Sequence, residues 1–255
     1  MKKTLIALAL TASAVSGIAH AWTNGDFNGS VDLGGTITPD IVTGPWEVKA
    51  GSNLTGLDAT VASGATSVNI TLPSDSLVLG IRSTGWFTGQ AGISPQISYA
   101  GSIGNTFENG KVDLTLNVKD SSTDQEIGVL TTKLTTAGVV SRVRPAGEET
   151  HNMYAANAGE GFFGGLSLSH DSSTLHNAPV DLANKLDSTI LDNWEQKGDS
   201  FGSNIPATFD NVNAQFNSFY VSGLETSDNV SIQLNEALTT DVEWKASLPI
   251  TVSYQ

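Results

Sequence analysis

Two stretches of the chain alternate apolar and polar residues with a period of two. The first covers residues 27–38: Phe27, Val31, Leu33 and Ile37 share one face with Gly29 and Gly35. Asn28, Ser30, Asp32, Thr36 and Thr38 share the other. The second covers residues 242–255, where Val242, Trp244, Ala246, Leu248, Ile250, Val252 and Tyr254 fall on one face. Successive side chains of a strand point to opposite faces, so both stretches predict half-buried strands. Glycine weakens an isolated strand, yet it lets one backbone pass close to another. Pro249 has no N–H to give to a ladder, which predicts a free edge or a bulge there.

Shorter strand signals lie between these two, over residues 68–72, 76–81, 96–99, 112–118, 127–134, 216–221 and 230–234. Turn clusters rich in Gly, Pro, Asn, Asp and Ser separate them, which is the pattern of a β-sandwich. One segment has a different period. Leu182, Leu186, Ile190 and Trp194 recur every four residues, with Asp181 placed to cap and Gly198 to stop. These predict an amphipathic helix over residues 182–196. The stretch 142–178 around it is rich in Gly, Asn, Ser and His and reads as long loops, which in a compact domain often carry function. The expected fold class is all-β, with a helical and loop insertion at about 142–198.

The N-terminus changes the picture of where the chain works. Lys2 and Lys3, an apolar run from Leu5 to Leu10, and the small-x-small Ala19-His20-Ala21 form a secretory signal peptide over residues 1–21. Its apolar run is too short for a membrane span. With it go two lysines and no acid, so the net charge of −14 becomes −16. Nucleic acid is a poor partner for such a chain, because holding phosphates takes clustered Lys and Arg. The sequence has no cysteine, which excludes disulfides, zinc–thiolate sites and thiol catalysis.

Chemical motifs are sparse. His151, His170 and His176 lack metal-ligand spacing and read as solvated loop residues, so no metal or cofactor is expected. There is no G-x-S-x-G, phosphate loop or H-E-x-x-H, and acid pairs such as Glu148-Glu149 read as surface charge. The chain is not expected to be an enzyme. Tyr154, Phe162 and Phe163 flank or lie within a Gly-rich stretch, Gly159 to Gly165. Such rings either stack on a sugar or fill core beneath the helix, and they are candidates for carbohydrate binding.

These features together resemble a known family. The signal peptide MKKTLIALA…SAVSGIAHA, the following AWTNGDFNGSVDLGGTIT and Pro45-Trp46-Glu47 are similar to the FaeG-type fimbrial adhesins. So are the stretch Phe162-Phe163-Gly164-Gly165-Leu166 and the end from Ala237 to Tyr254. That family comprises major subunits of chaperone–usher fimbriae of enterotoxigenic Escherichia coli. The resemblance is closest at the two ends. It implies an incomplete immunoglobulin-like sandwich, completed by a donor strand from a neighbouring copy. The donor extension would be residues 22–38, with Phe27, Val31, Leu33 and Ile37 entering the neighbour's groove. The domain would then be residues 39–255. The C-terminal strand, with Leu248, Ile250, Val252 and Tyr254, would meet a periplasmic chaperone first, and an outer-membrane usher would assemble the surface fimbrium. Lack of cysteine departs from many chaperone–usher pilins but agrees with this branch. The resemblance also implies adhesion to host glycans through the insertion. The rival readings are a purely structural or minor subunit without a receptor site, and a secreted glycan-active enzyme.

Overall fold

The computed structural model describes residues 44–255, which lie within one compact unit, residues 42–255. The expected signal peptide and the expected donor extension with Phe27, Val31, Leu33 and Ile37 fall outside the described residues. The strands in chain order are β1 (Trp46–Ala50), β2 (Ser67–Ile70), β3 (Ser76–Ser83), β4 (Phe87–Thr88), β5 (Pro95–Ser98), β6 (Ile103–Glu108) and β7 (Lys111–Asp120). There follow β8 (Glu126–Arg144), β9 (Gly147–Met153), helix α1 (Ala178–Asp187), β10 (Phe201–Ile205), β11 (Gln215–Leu224), β12 (Val230–Leu234), β13 (Trp244–Ala246) and β14 (Thr251–Tyr254). The all-β class is as expected, and its sheets do not close into a barrel.

Nineteen-residue β8 organises the sheets. One of its edges carries β12 and then β11, and the other carries β7 and then β9. Beyond β11 lie β3 and then β1, all antiparallel, while β10 runs parallel to β9. The sequence pattern reads this strand as ending at residue 134. It continues ten residues further because β8 stops alternating there: Leu134 to Ser141 are buried on both faces. Leu134 and Val140 enter the main core, whereas Ala137 and Val139 pack under α1 with Phe219 and Val221. Two-sided burial erases the period-two signal.

The main core is built around aromatic rings. Trp46, Phe87, Phe162, Phe209, Phe216 and Tyr220 meet mostly edge to face at 5.0–6.0 Å. That is the arrangement ring quadrupoles favour. Within the core, the Tyr99 hydroxyl bonds to those of Tyr220 and Ser222, at 2.9 Å each, and Tyr220 donates to the Gly165 carbonyl. Burial pushes the Tyr99 phenol up to about 12, so it stays a neutral donor.

The helix differs from its expected bounds. It begins at Ala178, with Pro179 in the first turn where a missing N–H costs nothing. It ends at Asp187, whose carboxylate accepts from the Thr189 N–H and starts a separate 3₁₀ turn, Ser188–Leu191. A short polar side chain that bonds its own backbone competes with helix continuation. Leu182 and Ile190 still face the sheet, and Trp194 packs edge-on to Phe219 at 5.3 Å. Residues 142–153, read as loop, instead close a hairpin between β8 and β9.

Candidate assembly edge and insertion surface

The C-terminal alternation survives into three dimensions, interrupted at Pro249. β13 pairs with β7 and β14 pairs with β5, with residues 247–250 outside the ladder. The even-numbered residues from Val242 to Val252 are all half-buried, and none is fully buried. Leu248, Ile250 and Val252 lean on the main core; Tyr254 remains 43% exposed. Among the described residues each of β13 and β14 has one hydrogen-bonded neighbour, which leaves its other edge without a strand among them.

β1 shows the same incompleteness. Val48 lies directly opposite Ile81 in the antiparallel register, so the two side chains share a face. Ile81 is 0% exposed, yet Val48 is 46% exposed. Among the described residues, nothing covers the core face of β1 one step beyond buried Trp46. The two open edges begin near each other. Trp46 Nε1 donates to the Ile93 carbonyl at 2.7 Å, and the next residue, Ser94, exchanges two backbone hydrogen bonds with Gln255. Unpaired strand edges beside a half-covered apolar row are a template for an added strand.

Beyond β9, the segment 170–198 is held largely by buried polar side chains. Asn217 of β11 donates to the Asn193 carbonyl and accepts from the Glu195 N–H, both at 2.8 Å. Asn204 of β10 reaches the Thr174 carbonyl at 2.9 Å and Ser173 Oγ at 2.6 Å; Asn152 of β9 reaches the His176 carbonyl at 3.0 Å. Irregular backbone needs such partners when buried. Lys185 of α1 adds ion pairs to Glu225 at 2.8 Å and Asp75 at 3.3 Å. On β9, Glu149 pairs with Arg142, Arg144 and His151. Burial opposes its charge, but the bonds from His151 and Arg142 prevail and hold the carboxyl at about 2.

The three carbohydrate candidates do not share a surface role. Phe162 is 0% exposed, its ring enclosed by Trp46, Phe209 and Tyr220, so it offers no face to a sugar. The glycines around it permit this. A Cβ on Gly164 would sit 2.1 Å from the Ile97 carbonyl oxygen, and one on Gly161 would sit 2.3 Å from the Phe209 ring. Phe163 and Tyr154 are half-buried. His151 is nearly buried on β9 rather than solvated, with Nδ1 2.8 Å from the Ser203 carbonyl. The pattern also gave no sign of two shallow clefts of about 300 and 260 Å³ that adjoin at Lys49. They run between β1, β3 and the α1–3₁₀ segment, with Val48, Arg82, Thr189 and Ile190 in one and Leu54, Leu77 and Leu186 in the other. Among the described residues no group of His, Asp and Glu is placed to hold a metal, and no helix is long and apolar enough to cross a membrane.

A mostly-strand domain whose sheets do not close is consistent with an all-β pilin fold. The chain belongs to the family of fimbrial major and minor subunits, which it matches over residues 1–255. It is 31% identical to the K88 fimbrial protein AD of Escherichia coli, with all of both chains covered, and 31% identical to K88 fimbrial protein AC on the same terms. The F41 fimbrial protein of Escherichia coli is 35% identical over 56% of this chain and 55% of its own length. The chain is thus a fimbrial subunit, and its family places it with like subunits in a cell-surface fimbrium.

Proposed function

We propose that the subunit polymerises by donor-strand exchange and that the resulting fimbrium adheres to host glycans. After removal of residues 1–21, residues 22–38 of one copy lie along the open edge of the next, with Phe27, Val31, Leu33 and Ile37 covering its apolar row. Before assembly, a periplasmic chaperone occupies the same edge at Leu248, Ile250, Val252 and Tyr254, and an usher carries the subunit outward. The observation behind this reading is the mismatch between Val48 and Ile81 on one face, beside a C-terminal strand with a free edge. Completing the cover of each half-exposed side chain is worth on the order of 1 kcal/mol, part of the ~1.5–3 kcal/mol of full burial. Backbone hydrogen bonds add to that. Release would expose the whole row at once, which makes the joint kinetically durable.

Expression with the cognate chaperone and usher tests the assembly. Wild type is expected to give thin fibres in the electron microscope, and a deletion of residues 22–38 only chaperone-bound monomer. Monomer from both would overturn the proposal. Adhesion is assigned to the insertion at about 142–198 and the neighbouring clefts, with Tyr154 and Phe163 as the aromatic candidates that keep exposed area. Glycan-array binding by purified fibres tests it. Fibres that bind no glycan would make the chain a purely structural subunit.

A further inference from the structure

We propose that Gln96 is a positioning residue for polymerisation: it fixes β5 to the insertion loop, and through β5 it sets the place of the C-terminal strand. This rests on the donor-strand reading and deepens it.

β5 is not hydrogen-bonded to the large sheet; with β14 it forms a separate two-stranded sheet. What fixes β5 on its other edge therefore also helps to fix β14, beside the packing of Val252 on the main core. That edge is taken by the insertion loop. The Phe162 N–H donates to the Pro95 carbonyl at 2.6 Å, and the Ile97 N–H donates to the Phe163 carbonyl at 2.8 Å. Gln96 and Phe163 form a parallel bridge. The Gln96 side chain closes the attachment, accepting from the Gly159 N–H at 3.0 Å and donating to the Glu160 carbonyl at 2.9 Å. Its amide also reaches the Ser94 and Pro95 carbonyls at 3.2 and 3.0 Å, tying it to its own strand. The loop is stiffened in turn by Glu160, whose carboxylate accepts from the Ala156 and Asn157 N–H groups at 2.6 and 3.1 Å.

The chain of attachment is therefore loop 156–163, then β5, then β14. Its far end carries Val252 and Tyr254 on the open edge. Pro95 and Ile97 are buried in the core, so Gln96 points away from it, toward the loop. Two elements joined through one short strand order each other: a partner that holds β14 also holds the loop. Occupation of the edge and ordering of the insertion loop become one event, so the surface assigned to adhesion is completed by assembly.

The test uses the full subunit bound to its chaperone, with a synthetic peptide of residues 22–38 as the incoming strand. Two quantities are read: release of the incorporated peptide, and hydrogen exchange at the Gly159, Phe162 and Phe163 amides. In wild type, incorporation is expected to slow exchange at these amides about tenfold. Gln96→Leu is expected to release the peptide about tenfold faster and to lose that protection, while Val139 and Tyr220 amides stay protected. Gln96→Glu keeps the acceptor for Gly159 and loses the donor to Glu160, and should fall between them. It also serves if Gln96→Leu does not fold. Both variants holding the peptide as wild type does, or loop exchange that ignores the peptide, would overturn the proposal. Failure of wild type to take up the peptide at all would overturn the donor-strand reading itself, and this proposal with it.

Discussion

Replacing Phe162 separates a core ring from a sugar-binding ring. The side chain is fully buried against Trp46, Phe209 and Tyr220, with ring centroids at 5.6, 6.0 and 5.5 Å. Truncating a buried Phe to Ala costs about 3–5 kcal/mol, through lost transfer energy and the cavity left behind. Neighbouring glycines and the β5 hydrogen bonds hold the local backbone, so little collapse is available and the upper half of that range applies. A second quantity comes from the backbone. Phe162 has φ +64°, in the left-handed region. There an L-residue with a Cβ pays about 1–2 kcal/mol that glycine does not. Glycine's extra freedom in the unfolded chain takes back about 0.4–1 kcal/mol. Phe162→Ala should therefore lose about 4 kcal/mol, and Phe162→Gly should be no less stable than Phe162→Ala, the reverse of the usual order at a buried site. Urea unfolding followed by tryptophan fluorescence measures both, because Trp46 touches the ring. An Ala variant within about 1 kcal/mol of wild type, or a Gly variant clearly less stable than Ala, would refute the reasoning.

Other expectations follow from the same contacts. Gly164→Ala places a Cβ 2.1 Å from the Ile97 oxygen at φ +82°, so it should cost more than about 2 kcal/mol and expose the Ile97 amide, which donates to the Phe163 carbonyl, to hydrogen exchange; unchanged melting would contradict that. Glu149 is held at about 2, below its ordinary 4.5, so its contribution is full above pH 4.5 and is lost as pH falls toward 2. Glu149→Gln should lower stability at neutral pH and flatten that acid limb, and parallel acid-unfolding curves for the two proteins would argue against it. Val31→Asp or Leu33→Asp should abolish fibres while leaving the chaperone-bound monomer, as read by sizing; normal fibre yield would move the donor register. Asn217→Leu removes the bonds to Asn193 and Glu195 and should cost about 2–3 kcal/mol, because buried backbone groups are left unpaired.

Features that rest on local pattern are legible in the residues alone. Alternation from Val242 to Tyr254 is local, and it gave both the inward row and, through Pro249, the break between β13 and β14. Val230–Leu234 is a strand with the bounds its alternation predicts. Absence of cysteine settled at once that no disulfide holds the domain. Where both faces of a segment are covered, or its partner lies far along the chain, the outcome depends on the folded arrangement. β8 runs on past Leu134 because α1 covers its second face, which no window around residue 134 reveals. Phe162 sits in a Gly-rich stretch that reads as loop, with its ring left open between a sugar-binding face and core. Its burial depends on rings at positions 46, 209 and 220, and a loop can bury a ring only if those distant rings form its pocket. The asparagines that pin the insertion look like ordinary strand residues until the carbonyls of residues 174, 176 and 193 are brought opposite them. The open edge is a fact of the same kind. Leu248, Ile250 and Val252 announce a buried face, but only the assembled sheets show that the described residues leave them half-buried, because burial is a property of neighbours and not of the strand.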